Sequence, residues 1–218
     1  MEAKFWLERW QNSEIGFHRE DANASLLRFW PQLNLPAQST VFVPLCGMSS
    51  DMPFLAQTGH KIIGVELSNI AIKKFFENQN LTPDIRQQDG FDIWSADPYE
   101  LWVGYLFKLP GQLINQCSAV YDRARLVAFP LQMQKDYSAL LAAHLARQAQ
   151  ILLISLSYDQ TEMDGPPFST PVERVEDFFQ SNFNIDALDH AMTLAENENL
   201  KRRGLTSLTE SCYHLTKR

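Results

Sequence analysis

From Thr40 onward, short apolar runs alternate with helix-length amphipathic segments, and no other feature narrows the possible folds so far. Repeated strand-then-helix units build a parallel sheet, because neighbouring parallel strands need a crossover long enough to hold a helix. The first run, Thr40 to Leu45, leads through a loop to a helix from Ser50 to Gln57. The second, Lys61 to Glu66, is followed by Ser68, which reads as the N-cap of a helix reaching Asn78. A third strand is expected at Glu100 to Tyr105, after a loop-like stretch Leu81 to Tyr99, and a fourth at Ser118 to Asp122. A helix from Leu131 to Arg147 precedes a fifth, Ile151 to Ser157, whose unbroken apolar start suits a strand covered on both faces. The segment Asp164, Gly165, Pro166, Pro167, Phe168 reads as loop. Thr170, Pro171 and Glu173 then read as N-cap, first-turn proline and capping-box acid of a helix to Gln180. Two last strands, Asn184 to Leu194 and Leu205 to Leu215, pair as an antiparallel hairpin across the polar stretch Glu196 to Arg203. Upstream, helices at Ala3 to Asn12 and Asn23 to Trp30 flank the loop Ser13 to Asp21 and make residues 1–35 a helical lid region.

The expectation is one α/β domain over residues 1–218, with five β/α units and a terminal hairpin. The formal net charge of -7 disfavours nucleic acid, whose affinity comes from cations that displace counterions from phosphates. Lys201, Arg202 and Arg203, the one dense basic cluster, read as a solvated loop before a strand. No window approaches the roughly 20 apolar residues of a membrane span, and the start Met1, Glu2, Ala3, Lys4 lacks the pattern of a secretory signal. A cytoplasmic monomer acting on a small molecule, with no membrane partner, is expected. Cys46, Cys117 and Cys212 are odd in number and widely spaced, so buried free thiols are expected rather than a disulfide framework or a metal site.

Ligands of open α/β sheets sit at the carboxyl ends of the strands. After the first strand comes Val43, Pro44, Leu45, Cys46, Gly47, where one glycine lets the backbone approach a ligand. A pyrophosphate cradle needs GxGxxG, so the ligand here has no diphosphate to hold. Glu66 ends the second strand, where an acid accepts hydrogen bonds from the ribose hydroxyls of an adenine nucleoside; a solvated or helix-capping glutamate is the plainer alternative. An adenosine ligand without diphosphate points to S-adenosylmethionine. Tyr121, Asp122 and Arg123 bring charge to the end of the fourth strand, and both a ligand contact and an internal ion pair or cap stay open for them. Trp6, Trp10, Phe17 and His18 suit either the lid or the packing of the first helix, and a lone histidine is a weak candidate base.

Together these residues resemble the thiopurine S-methyltransferase family in its shorter bacterial form. The resemblance rests on Phe5, Trp6, Arg9 and Trp10 with Gly16, Phe17 and His18; on Val43 to Gly47; on Gly59, His60 and Gly64 to Ser68; on Tyr121, Asp122, Arg123 with Leu126, Val127, Ala128; and on Ser157, Tyr158, Asp159 with Gly165 to Phe168. It implies a class I methyltransferase fold: a Rossmann-like three-layer sandwich whose mostly parallel seven-stranded sheet ends in an antiparallel hairpin. It implies that Trp10, Leu45, Glu66 and Arg123 contact S-adenosylmethionine and that Gly104 and Tyr105 lie against the adenine; the mechanism expected on that basis has Phe17 meet the acceptor and Arg123 act as the catalytic residue, with no metal. The activity implied is methyl transfer to the sulfur of aromatic or heterocyclic thiols by in-line displacement, giving S-adenosylhomocysteine, in detoxification. Methylation of selenium or tellurium species or other small thiols, with tellurite resistance, is the alternative acceptor chemistry. A silent adenosine-ligand binder and a dinucleotide oxidoreductase are the rivals of other classes. Three departures from the family pattern stand out: Tyr105 where an acid is expected, Arg125 in place of a small residue, and the polar stretch Asp89 to Pro98.

Overall fold

The computed structural model of the chain describes residues 3–123 and 125–218. Met1 and Glu2, where the expected domain and lid region begin, lie outside the described residues, as does Ala124. The chain forms two compact units, Met1–Val120 and Tyr121–Arg218.

In the first unit, α1 (Ala3–Gln11) buries Trp10. Next, α2 (Ala24–Phe29) starts at Asn23, whose side chain accepts the Leu26 N–H at 3.1 Å, and buries Leu26 and Phe29. β1 (Thr40–Pro44), α3 (Asp51–Gln57), β2 (Lys61–Glu66) and α4 (Asn69–Asn78) follow close to their expected bounds. Ser68 caps α4 by accepting the Ala71 N–H at 3.4 Å. β1 and β2 pair in parallel from Thr40↔Lys61 to Pro44↔Val65.

The stretch expected as loop, Leu81 to Tyr99, instead holds β3 (Asp84–Gln88) and β4 (Phe91–Ala96), each antiparallel to its neighbour. Every β3 residue is exposed, so the apolar alternation that marks a half-buried strand is absent there. The legible signal was the turn: Asp89 and Gly90 both take positive φ, 52° and 81°, the pair that closes a two-residue hairpin. β5 (Tyr99–Val103) therefore starts and ends earlier than expected, and runs parallel to β2 from Ile62↔Tyr99 to Glu66↔Val103. After α5 (Gly111–Asn115), β6 (Ala119–Arg123) begins by pairing in parallel with β1 at Val41↔Ala119 and Phe42↔Val120.

In the second unit, α6 (Leu131–His144) leads to β7 (Gln150–Ser157), whose middle five residues are buried. α7 (Val172–Phe179) packs on Val175 and Phe179. β8 (Phe183–Met192) and β9 (Thr209–Lys217) form the expected antiparallel hairpin, and β9 also pairs antiparallel with β7. The polar connection holds α8 (Glu198–Arg202), on which Lys201 and Arg202 are exposed. Arg203 is not simply solvated, since its guanidinium donates to the Pro166 carbonyl at 2.7 Å. The expected cap of α7 is corrected too: Pro171 takes the N-cap position without a side-chain bond, and Thr170 accepts from Gln134 Nε2 at 3.1 Å. Nine strands thus form among the described residues where seven were expected, and the α/β class holds. All three cysteines are buried thiols that form no disulfide among the described residues. Burial pushes the Cys117 thiol up to about 12. No helix among the described residues is long and apolar enough to cross a membrane.

Candidate active site

The first unit brings three parallel strand ends together, and one residue, Glu66, ties them through its side chain and its backbone. Glu66, last in β2 and 6% exposed, accepts the Gly47 N–H on Oε2 at 3.0 Å and the Ser68 N–H on Oε1 at 2.9 Å. Its own carbonyl accepts the Gly104 N–H at 2.8 Å. The side chain therefore joins the turn after β1 to the start of α4, while its backbone holds the turn after β5. A solvated strand-end glutamate would show none of this, whereas the helix-capping alternative matches the bond to Ser68, the N-cap of α4; desolvating a carboxylate is costly unless donors replace its water.

The turn after β1 takes its shape from two left-handed residues, Leu45 at φ 45° and Gly47 at φ 52°. Leu45 pays for that conformation with a Cβ clash that glycine avoids, and backbone strain of this kind concentrates at functional sites. The Cys46 N–H continues the β1–β2 ladder by donating to the Val65 carbonyl at 3.0 Å. A Cβ on Gly47 would stand 3.2 Å from Trp10 Cζ2 and 4.0 Å from Glu66 Oε2. Trp10 is thus buried directly over the turn, and core packing and site placement are one and the same for it. Phe17, 44% exposed, sets its ring edge-on to Trp10 and Trp6, with centroids 5.6 and 5.7 Å apart. The aromatic segment is continuous with the turn.

Gly104 has no room for a side chain, because a Cβ there would fall 2.3 Å from Phe91 Cδ1 of β4. Tyr105 follows, 40% exposed, its ring 5.5 Å from that of Phe107. Trp10, Leu45, Glu66 and Gly104 are therefore gathered, with Phe17 joined through Trp10.

Arg123 belongs to the second unit, as the last residue of β6. Beside it Asp122 is fully buried, accepting the Tyr137 hydroxyl on Oδ2 at 2.6 Å and the Leu126 N–H on Oδ1 at 3.3 Å. Burial pushes its carboxyl above the usual range, against the pull of the Tyr137 bond and the Arg125 charge. Arg125 is itself buried and donates to the Arg123 carbonyl. For Asp122, then, the internal partner is found. Sequence reasoning missed Tyr137 and Gln134 as that partner's company; polar residues three apart on α6, both fully buried, were the available sign.

The fold together with the sequence family makes the chain an S-adenosylmethionine-dependent methyltransferase of class I type. Solved structures agree on the fold. An S-adenosylmethionine-dependent methyltransferase from Anabaena variabilis superposes with TM-score 0.66 at 15% identity, over 99% of this chain and 95% of that one. A Burkholderia thailandensis 1,6-didemethyltoxoflavin-N1-methyltransferase, solved with S-adenosylhomocysteine, gives 0.66 at 12% identity over 99% and 87%. The chain belongs to the thiopurine S-methyltransferase family, whose sequence profile matches residues 1–218. It is similar to the thiopurine S-methyltransferase of Pseudomonas entomophila, 40% identical over 217 residues and 100% of both chains. The enzyme of that name from Xanthomonas euvesicatoria is 38% identical over 215 residues, 99% of both.

The residues fit the cofactor. A carboxylate is an acceptor-only group, already taking N–H donors at Glu66, and hydroxyl donors such as those of a ribose match that chemistry.

Proposed function

We propose that this enzyme methylates the sulfur of aromatic and heterocyclic thiols, with S-adenosylhomocysteine as the second product. The observation that carries the proposal is the Glu66 carboxylate, buried at the end of β2 and bonded to the β1 turn and the start of α4. Glu66 holds the ribose there, while Trp10 and Leu45 enclose the cofactor from α1 and the β1 turn. Gly104 and Tyr105 lie along the adenine, where stacking by the Tyr105 ring or a backbone bond replaces the acid of the family pattern. When bound, S-adenosylmethionine supplies a sulfonium methyl already activated for in-line attack. The protein's share is placement and exclusion of water. Phe17, exposed beside Trp10, offers the acceptor an apolar face. Arg123 contacts the cofactor and steadies the acceptor thiolate through charge-assisted hydrogen bonds, which are stronger than neutral ones. No strong base is required, because an aromatic thiol ionises readily near neutral pH. The whole chain serves as one catalytic domain, working as a cytoplasmic monomer in detoxification.

The test is a panel of aromatic thiols, aliphatic thiols and selenium and tellurium oxyanions, assayed by release of S-adenosylhomocysteine. Turnover greatest on aromatic thiols is the expected result. Turnover confined to the oxyanions would replace the acceptor with a chalcogen species and bring tellurite resistance with it. Binding of S-adenosylmethionine with no product from any member would leave a silent binder.

A further inference from the structure

Asp122 is a carboxylate with no solvent exposure at a strand end where an apolar side chain would cost less. Its bonds show what the fold gains. Oδ1 holds the Leu126 N–H, closing the turn that carries Arg123 and Arg125, and Oδ2 holds the Tyr137 hydroxyl at 2.6 Å. One helical turn back on α6, Gln134 Nε2 donates to the Leu126 carbonyl at 3.1 Å. Residues three apart on a helix share a face, so α6 grips the turn at both of its ends. Neither Tyr137 nor Gln134 has measurable exposure, so these bonds do not compete with water. Arg125, buried beside Asp122, adds a third hold by donating to the Arg123 carbonyl. Arg125 is thus part of the frame, which answers how a large cation is accommodated where the family pattern has a small residue.

We propose that Tyr137 and Gln134 are positioning residues for Arg123, fixing through Asp122 and Leu126 the backbone from which its guanidinium reaches the acceptor. This rests on the reading of Arg123 as the acceptor-binding arginine. Neither residue touches the reacting atoms; each acts through the turn, so its effect passes through Arg123 or does not exist.

That condition sets the experiment. Tyr137→Phe removes one hydroxyl and keeps the ring; Gln134→Leu is the second variant, should the first fail to fold. Each is made alone and combined with Arg123→Ala, with 6-mercaptopurine as acceptor. S-adenosylhomocysteine affinity is followed by calorimetry as a readout independent of turnover. Alone, Tyr137→Phe is expected to lower kcat/KM for the thiol about tenfold and to weaken S-adenosylhomocysteine binding by a smaller factor, no more than Arg123→Ala does, because Arg123 also contacts the cofactor. On the Arg123→Ala background it is expected to cost less than about twofold more, because residues acting through one group are not additive. Equal losses on both backgrounds would overturn the proposal, as would a lowered Tm with unchanged kcat/KM. Unchanged turnover in Arg123→Ala alone would remove Arg123 from the chemistry, and this inference with it, while unaltered calorimetry would leave the cofactor site standing.

Discussion

Single atoms at the β1 turn decide what the first unit can hold. Glu66→Gln keeps the size of the side chain but turns one acceptor oxygen into an NH₂ that must face either the Gly47 or the Ser68 N–H. Donor against donor leaves a buried amide unsatisfied, at a cost of about 1–3 kcal/mol. Calorimetry should show S-adenosylmethionine binding weakened at least tenfold, on the order of 1.4 kcal/mol, with a lowered unfolding midpoint. Binding unaffected by the substitution would dismiss Glu66 as the ribose acceptor. Gly47→Ala makes a second, separable point, since the new methyl meets Trp10 at 3.2 Å and the residue keeps φ 52°. The left-handed conformation alone costs an alanine about 1–2 kcal/mol, and Trp10 must shift, so tryptophan emission should move together with stability. At this scale Glu66 and Gly47 were legible in sequence, because the chemistry of a strand end limits which residue types serve there. For Gly104 the sequence offered no packing reason. Its bare Cα answers to Phe91, thirteen residues away on a strand that the hydrophobic pattern did not reveal.

That strand belongs to the hairpin of β3 and β4, which the sequence pattern presented as loop. Period-two patterning reports burial on one face, and β3 has none, so only the Asp89–Gly90 turn announced it. Strands buried on both faces, β1, β2 and β7, were read nearly to the residue because their apolar runs are uninterrupted. The α7 start was misread because Thr170 has a tertiary partner, Gln134, which local capping rules cannot foresee. The third departure from the family pattern, Asp89 to Pro98, is this same hairpin, whose β4 buries Phe91 and Ile93. If β4 is fixed to the turn after β5 by the Phe91–Gly104 contact, the pair should behave as a unit. Gly104→Ala forces an overlap at 2.3 Å and is expected to destabilise by about 1–3 kcal/mol. Phe91→Leu in the same chain should recover part of that loss, a non-additivity that urea denaturation of the two single variants and the double would measure. Strictly additive losses would mean that the hairpin packs independently of the turn.

Across the whole chain, one buried and one half-buried histidine set how the fold answers acid. His60 precedes β2 in the first unit, edge-on to Trp30 at 5.8 Å, with Nδ1 buried and without a hydrogen-bond partner among the described residues. His214, on β9 in the second, meets the Gln150 side-chain oxygen at 2.7 Å. Burial holds both imidazoles below their ordinary 6.5, for His214 against an opposing pull from Asp186. The unfolded chain therefore takes up protons near 6.5 that the folded chain refuses until the pH is lower. Above that value both states are neutral and the stability is complete; it drains as pH falls from there through the folded values. Asp122 runs the other way, since a raised carboxyl favours the folded state as it protonates above its ordinary 3.8, and so flattens the curve on its acid side. Each histidine adds a slope of at most about 1.4 kcal/mol per pH unit. Urea midpoints at pH 7.5 and 5.5 should fall in the unsubstituted protein and draw closer together in His60→Phe, which removes the titrating group and forfeits no bond at Nδ1. If the two proteins lose stability in parallel, His60 is charged in the fold and the acid sensitivity lies elsewhere.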